Sequence, residues 1–352
     1  MSRTALKSLI LMGELRFGVS LLQWNESVSS RADVESMHDF ASIAEAKGFD
    51  SVFMVDHADM PLEAITTLSA VGAKTKRVRL GTAVIDCARR SPAILAQMTA
   101  TLDLLSGGRL VLGLGKGVAN AATYGEPVKS PVAKMSEVIT LLRRFWSEET
   151  VTYRGKFYTF ENASIVAKPI QRPHPPIWIA AFTPKVLEIV ARLGDGWMTQ
   201  NIPPEDCRIE YERLLRQRQA MNERRTKLQM IFAAPVAISR DREEAFKTIE
   251  PTARDFLFRY CGPPVSMGKR LGYESLWNRA DDVPREAIER CYIFGTPDDC
   301  ISKIEAYKKA GVGYVVCLPI LPMGKESLEL FADTVLPAFR EGWHSSPVTS
   351  NL

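Results

Sequence analysis

The chain has 352 residues, 46% of them hydrophobic and 24% charged, with a formal charge of +4. These proportions belong to a globular protein with a large core and exclude a disordered chain. So small a basic excess, spread along the sequence, excludes an electrostatic case for nucleic acid.

A first strand is predicted at 16–22 (RFGVSLL), then a helix opening at Ser29 or Ser30, with Val34, Met37, Phe40, Ala41 and Ala44 at helical spacing and Gly48 closing it. SVFMVDH (51–57) is the second strand, and a helix follows from about Pro61. VRLGTAVID (78–86) is the third, followed by a helix with Ser91 as N-cap and Pro92 in its first position. RLVLGLG (109–115) is the fourth, after which the alternation pauses for a helix at 132–145 and a hairpin-like excursion, TVTYRGKFYTF, with a tight turn at Arg154 and Gly155. It resumes with PPIWIAA (175–181), a helix at 184–193, a short strand at 197–199 and a helix at 204–221. LQMIFAAPVAI (228–238) and YVVCLPI (314–320) are the seventh and eighth strands, with a helix between them capped by Thr296 ahead of Pro297. Eight apolar strands alternating with helices predict an α/β fold, a closed parallel (β/α)8 TIM barrel, in preference to an open doubly wound sheet. The whole chain, 1–352, is expected to form one domain, with the barrel at about 15–340 and insertions near 118–130, 149–174 and 261–285, after strands four and seven.

In such a barrel, chemistry gathers where strands end at their carboxyl side. Asp56 and His57 fall there, because a buried strand does not carry unpaired charge in its interior. They read either as a loop-fixing pair or as a ligand contact with a proton donor, since imidazole titrates near neutrality. The glycines of GLGKG (113–117) leave the backbone bare beside Lys116, and FTPK (182–185) places Thr183 and the first amides of a helix at the same mouth, which makes two candidate anion sites. Arg89 and Arg90 are solvated charges or ligand contacts, and Trp24 and Trp197 are stacking surfaces or rim aromatics. Metal binding is not expected, because His38, His174 and His344 are dispersed and the six cysteines (Cys87, Cys207, Cys261, Cys291, Cys300 and Cys317) form no C-x-x-C pair. Scattered cysteines, no signal-like leader and no long apolar window predict a cytoplasmic protein without membrane contact.

Three runs carry a resemblance: GGRLVLGLGKG, QRPHPPIWIAAFTPKVLEIVARLGDGWM and FGTPDDCISKIEAYKKAGVGYVVCLP. Through them the chain resembles the bacterial-luciferase-like superfamily of flavin and deazaflavin oxidoreductases, from about residue 15 to 340. It is most similar to the coenzyme F420 branch, which includes methylenetetrahydromethanopterin reductase, F420-dependent glucose-6-phosphate dehydrogenase and phthiodiolone ketoreductase. The resemblance implies that Asp56 and His57 touch the deazaflavin and that His57 supplies a proton. It places a bulge behind the ring at Ala83 and Val84, with the cofactor held further by Gly115, Lys116, Gly117, Asn120, Phe182, Thr183, Lys185 and Val186. Trp24, Arg90 and Trp197 would then face the small-molecule substrate, and the chain would form a homodimer. The dehydrogenase has a catalytic glutamate just after the fourth-strand glycines where this chain has Val118, so glucose 6-phosphate oxidation is not expected and a reductase is. An FMN-dependent monooxygenase and a non-catalytic flavin-binding barrel stay open as alternatives.

Overall fold

The computed structural model describes residues 14–21, 30–56, 62–87, 89–117, 129–221, 227–261 and 277–340. In chain order the strands are β1 (Arg16–Ser20), β2 (Ser51–Met54), β3 (Arg79–Thr82), β4 (Ile85–Asp86), β5 (Leu110–Gly115), β6 (Val151–Arg154), β7 (Thr159–Ala163), β8 (Ile177–Ala180), β9 (Gly196–Thr199), β10 (Gln229–Ile238), β11 (Ile293–Gly295) and β12 (Tyr314–Leu321). Parallel pairing runs β1, β2, β3, β5, β8, β9, β10, β12, and β12 returns to β1 with Val315 opposite Phe17. Among the described residues eight staves therefore close into the predicted barrel.

The outer ring contains α1 (Arg31–Ala46), α2 (Ala64–Lys74), α3 (Pro92–Leu105), α4 (Pro131–Ser147), α5 (Pro184–Leu193), α6 (Pro204–Ala220), α7 (Arg242–Cys261), α8 (Arg285–Cys291), α9 (Pro297–Lys309) and α10 (Lys325–Thr334). Pro92, Pro131, Pro184, Pro204 and Pro297 each open a helix, where a missing N–H leaves no bond unmade. Ser30 and Thr296 cap α1 and α9 reciprocally with Asp33 and Asp299.

Two cores follow from the alternation of strand side chains. Inside the barrel, Trp178 meets Tyr314 edge to face at 4.9 Å and stacks on Phe53 at 5.9 Å, joined by Val111, Met198 and Ile231. Rings this large fit because their neighbours are small: a Cβ on Gly81 would strike Phe53, and one on Gly196 would come within 2.5 Å of Trp178. Each buried aromatic contributes about 1.5 to 3 kcal/mol by leaving water. The larger core lies between the strands and the helices.

Four details differ from the sequence expectation. Residues 78–86 are not one strand, as their apolar run predicts, but β3 and β4, separated at Ala83 and Val84, where the resemblance implies a bulge and where the peptide bond is cis. α2 begins at Ala64 rather than near Pro61, because the Glu63 carboxylate caps it by accepting from the Ile65 and Thr66 amides. The β6–β7 hairpin turns through four residues, 155–158, and not at a tight Arg154–Gly155 pair, since the Glu137 carboxylate draws in the Phe157 and Tyr158 amides. Finally, β11 was absent from the predicted set; it pairs with the far half of β10, whose ten residues outrun the barrel wall.

Candidate active site

The ends of β2, β4, β5 and β8 stand side by side in the sheet order, so the segments after them converge on one sector of the mouth. Asp56, just past β2, is 7% exposed and gives both carboxylate oxygens to Arg90, at 2.8 and 3.0 Å. Arg90 extends a further bond of 2.7 Å to Glu63. Such a bidentate, partly desolvated pair is a strong charge-assisted contact. The bond to Asp56 raises the Arg90 pKa above its ordinary value; partial burial opposes this, and the two carboxylate charges add to it. Arg90, expected as a substrate contact, thus spends its guanidinium on Asp56 and Glu63. Beside them Arg89 holds Asp86 at 2.9 Å.

Partial burial alone would raise the Glu63 pKa, but the amides of Thr66 and Ile65, the Thr66 side chain and the Arg90 charge outweigh it and hold the group below its usual value. A depressed carboxyl stabilises the fold above its unfolded pKa and loses that contribution as pH falls through its folded value. Glu63→Gln should therefore melt below the parent protein at neutral pH, with the gap closing below about pH 4. A gap that stays constant in thermal melts across that range would refute the assignment.

The bulge is built by counting. Along β3 and β4, Leu80 and Gly81 pair with Leu110 and Val111, and Ile85 and Asp86 pair with Leu114 and Gly115. Three residues, 82–84, therefore oppose only Leu112 and Gly113, and the surplus is displaced from the wall. The Thr82 hydroxyl donates to the Gly113 carbonyl at 2.8 Å and accepts from the Gly113 amide at 2.9 Å, so one side chain stands in for a ladder pair. The Ala83 amide donates to Met54 O at 2.9 Å, tying the bulge to β2. Ala83, Val84 and Ala180 are partly exposed and rest on the inner aromatic cluster. They form a shelf of small apolar side chains at the mouth.

The glycine run has a structural reason that the sequence did not reveal. A Cβ on Gly113 would strike Thr82 O, one on Gly115 would reach Val84 Cγ2 at 2.7 Å, and one on Gly117 would strike the Asp86 carboxylate. Alternate glycines thus receive alternate residues from the bulge into β4. Gly117 also adopts φ +85, which L side chains resist. Lys116 is exposed beside this loop.

On the next segment, Thr183 caps α5 through its backbone and makes no side-chain cap bond, Lys185 is exposed, and Phe182 is partly buried. Two expected contacts do not fit. Val186 is 2% exposed in the outer core, with its amide bonded to Thr183 O at 3.0 Å. Trp197 is 1% exposed in the same core, and its indole N–H donates to Ala181 O at 3.0 Å, so its ring faces the helices and not the mouth. The strand is apolar on both faces, and parity rather than hydropathy decides which residue looks inward. His57, Trp24 and Asn120, with residues 118–128 and 262–276 of the predicted insertions, lie outside the described residues.

Glu63, Thr82 and Asp86 escaped the sequence reading. Only the capping pattern ahead of α2 signals Glu63; the other two are visible only through register. Cys87 is 1% exposed next to the bulge, and burial pushes its thiol well above the usual range, so it is no nucleophile. Among the described residues no cluster of His, Cys, Asp and Glu could hold a metal, and no helix is long and apolar enough to cross a membrane.

A family model, luciferase-like monooxygenase, matches residues 15–313. This chain belongs to that family. Among luciferase-like relatives, 5,10-methylenetetrahydromethanopterin reductase of Archaeoglobus fulgidus is 29% identical, over 86% of this chain and 95% of the relative. F420-dependent glucose-6-phosphate dehydrogenase of Microbacterium testaceum is 28% identical, over 93% of this chain and 98% of the relative. The fold matches the coenzyme F420-dependent tetrahydromethanopterin reductase from Methanopyrus kandleri at a TM-score of 0.76, with 22% identity over 93% of this chain and all of that one. It also matches a monooxygenase from Streptomyces bottropensis at 0.71, with 24% identity over 93% of this chain and 100% of the other.

Proposed function

We propose that this chain is a coenzyme F420-dependent oxidoreductase acting as a reductase on a small organic substrate with a carbonyl, imine-like or pterin-type carbon. The observation that carries the reading is the shelf: Ala83, Val84 and Ala180 offer a partly exposed apolar floor, closed beneath by buried Trp178 and Tyr314 and flanked by Asp56 and the 115–117 loop. A planar tricycle fits such a floor, and the relative named as F420-dependent aligns along 93% of the chain. Reduced F420, when bound, supplies the hydride. The protein's part is to hold the acceptor carbon close, exclude water and place a proton donor. His57 takes the donor role, and the clamped Asp56 fixes the end of β2 from which His57 follows. Lys116, Lys185 and the Thr183 hydroxyl would hold the cofactor's anionic tail.

Fluorescence titration of the purified protein with F420 and with FMN tests the cofactor. Saturable F420 binding is expected, and tight FMN binding without F420 binding would favour the monooxygenase alternative that shares this fold. His57→Ala should lower turnover by about a hundredfold or more, the span of general acid catalysis, with little change in F420 affinity. Unchanged turnover would remove His57 from the chemistry. We also infer a homodimer, from the resemblance and from Ile94, Leu104 and Leu105, apolar side chains exposed on α3. Light scattering should give twice the chain mass, and a monomer at micromolar concentration would refute it.

A further inference from the structure

We propose that Thr82 is a positioning residue for the cofactor: its hydroxyl, and not the strand ladder, sets where Ala83 and Val84 stand. The inference rests on the cofactor reading above. An inserted residue ordinarily leaves ladder groups unpaired, and buried groups of that kind are costly. Here the two groups at risk belong to Gly113, and both are satisfied by Thr82 Oγ1, at 2.8 and 2.9 Å. Thr82 is 0% exposed, so water cannot take over the task. The contact also has no slack, because Thr82 O occupies the space that a Cβ on Gly113 would need.

Without the hydroxyl, Gly113 recovers its bonds only by drawing the backbone of β3 into register, which withdraws Ala83 and Val84 from the mouth. The threonine methyl plays no part in either bond. Serine should therefore replace threonine, while valine, which matches its shape, should not.

The test compares Thr82→Val and Thr82→Ser with the parent protein in two measurements. Amide exchange at Gly113, read by mass spectrometry of peptides covering β5, should accelerate about tenfold or more in the valine variant, the effect of losing one buried acceptor. It should stay near the parent rate in the serine variant. The dissociation constant for F420, read by fluorescence, should rise about tenfold in the valine variant and stay within about threefold in the serine variant. A purely structural threonine would lower the melting temperature and leave this constant unmoved. Unchanged exchange in Thr82→Val, or faster exchange with unaltered F420 binding, would overturn the proposal. Should the parent protein itself not bind F420, the cofactor reading fails, and Gly113 exchange in valine against serine still decides whether the hydroxyl sets the bulge. If the valine variant does not fold, Thr82→Cys, of similar volume but with a weak donor, takes its place in both measurements.

Discussion

Gly113→Ala is expected to destabilise the fold by about 3 kcal/mol or more, the upper end for overpacking. The new methyl would strike Thr82 O and lie 3.3 Å from Val84 Cγ1. The decisive neighbour, Thr82 O, is backbone and has no room to retreat. The backbone of Thr82 is held to Gly113 by both bonds of its own hydroxyl, and Ala83 is held to Met54. Gly313→Ala is the control, for among the described residues the only neighbour that its Cβ would have within 4 Å is Gln229 Nε2 at 3.8 Å, and its backbone is not left-handed. That substitution should stay within about 1 kcal/mol of the parent. Chemical denaturation of the two side by side is the measurement. Equal stability would mean that β5 and the bulge are not in contact.

The second large effect concerns Arg90. Arg90→Leu strands the Asp56 carboxylate, 7% exposed, without its bidentate partner. Removing one half of a buried pair costs about 3 to 5 kcal/mol, most of it the penalty on the charge left behind. Adding Asp56→Asn to Arg90→Leu should recover a substantial part of the loss, because the stranded charge disappears with it. If Arg90 were instead a substrate contact, Arg90→Leu would raise KM and leave the melting temperature unchanged. A double-mutant cycle by thermal melting, run alongside steady-state kinetics, separates the two roles.

The elements the sequence disclosed are those with local chemistry. Helix starts at Pro92, Pro184 and Pro297 stand where they were predicted, since a proline after a capping residue leaves little alternative. The barrel strands declared themselves as apolar runs, and eight of them close the barrel. What could not be read required a partner. Hydropathy alone runs 78–86 together as one strand; the bulge at Ala83 and Val84 was legible through the resemblance, whereas its surplus residue and the part Thr82 plays in it exist only relative to β5. Trp197 could have faced either way, because both faces of β9 are buried. β11 has three residues, too few for any periodicity to register. Arg90 looked like one of two spare charges because the carboxylates that hold it lie 34 and 27 positions earlier.

The interlocking of alternate glycines on and beyond β5 with Thr82, Val84 and Asp86 bears on any attempt to re-engineer this enzyme. Neither loop is an independent variable. A library that diversifies the segment after β4 while keeping the GLGKG run will tolerate only side chains that seat in those gaps, and one that diversifies the glycines will break the shelf before it reaches the substrate. The two segments should be transplanted together, as one cassette, from a single donor scaffold.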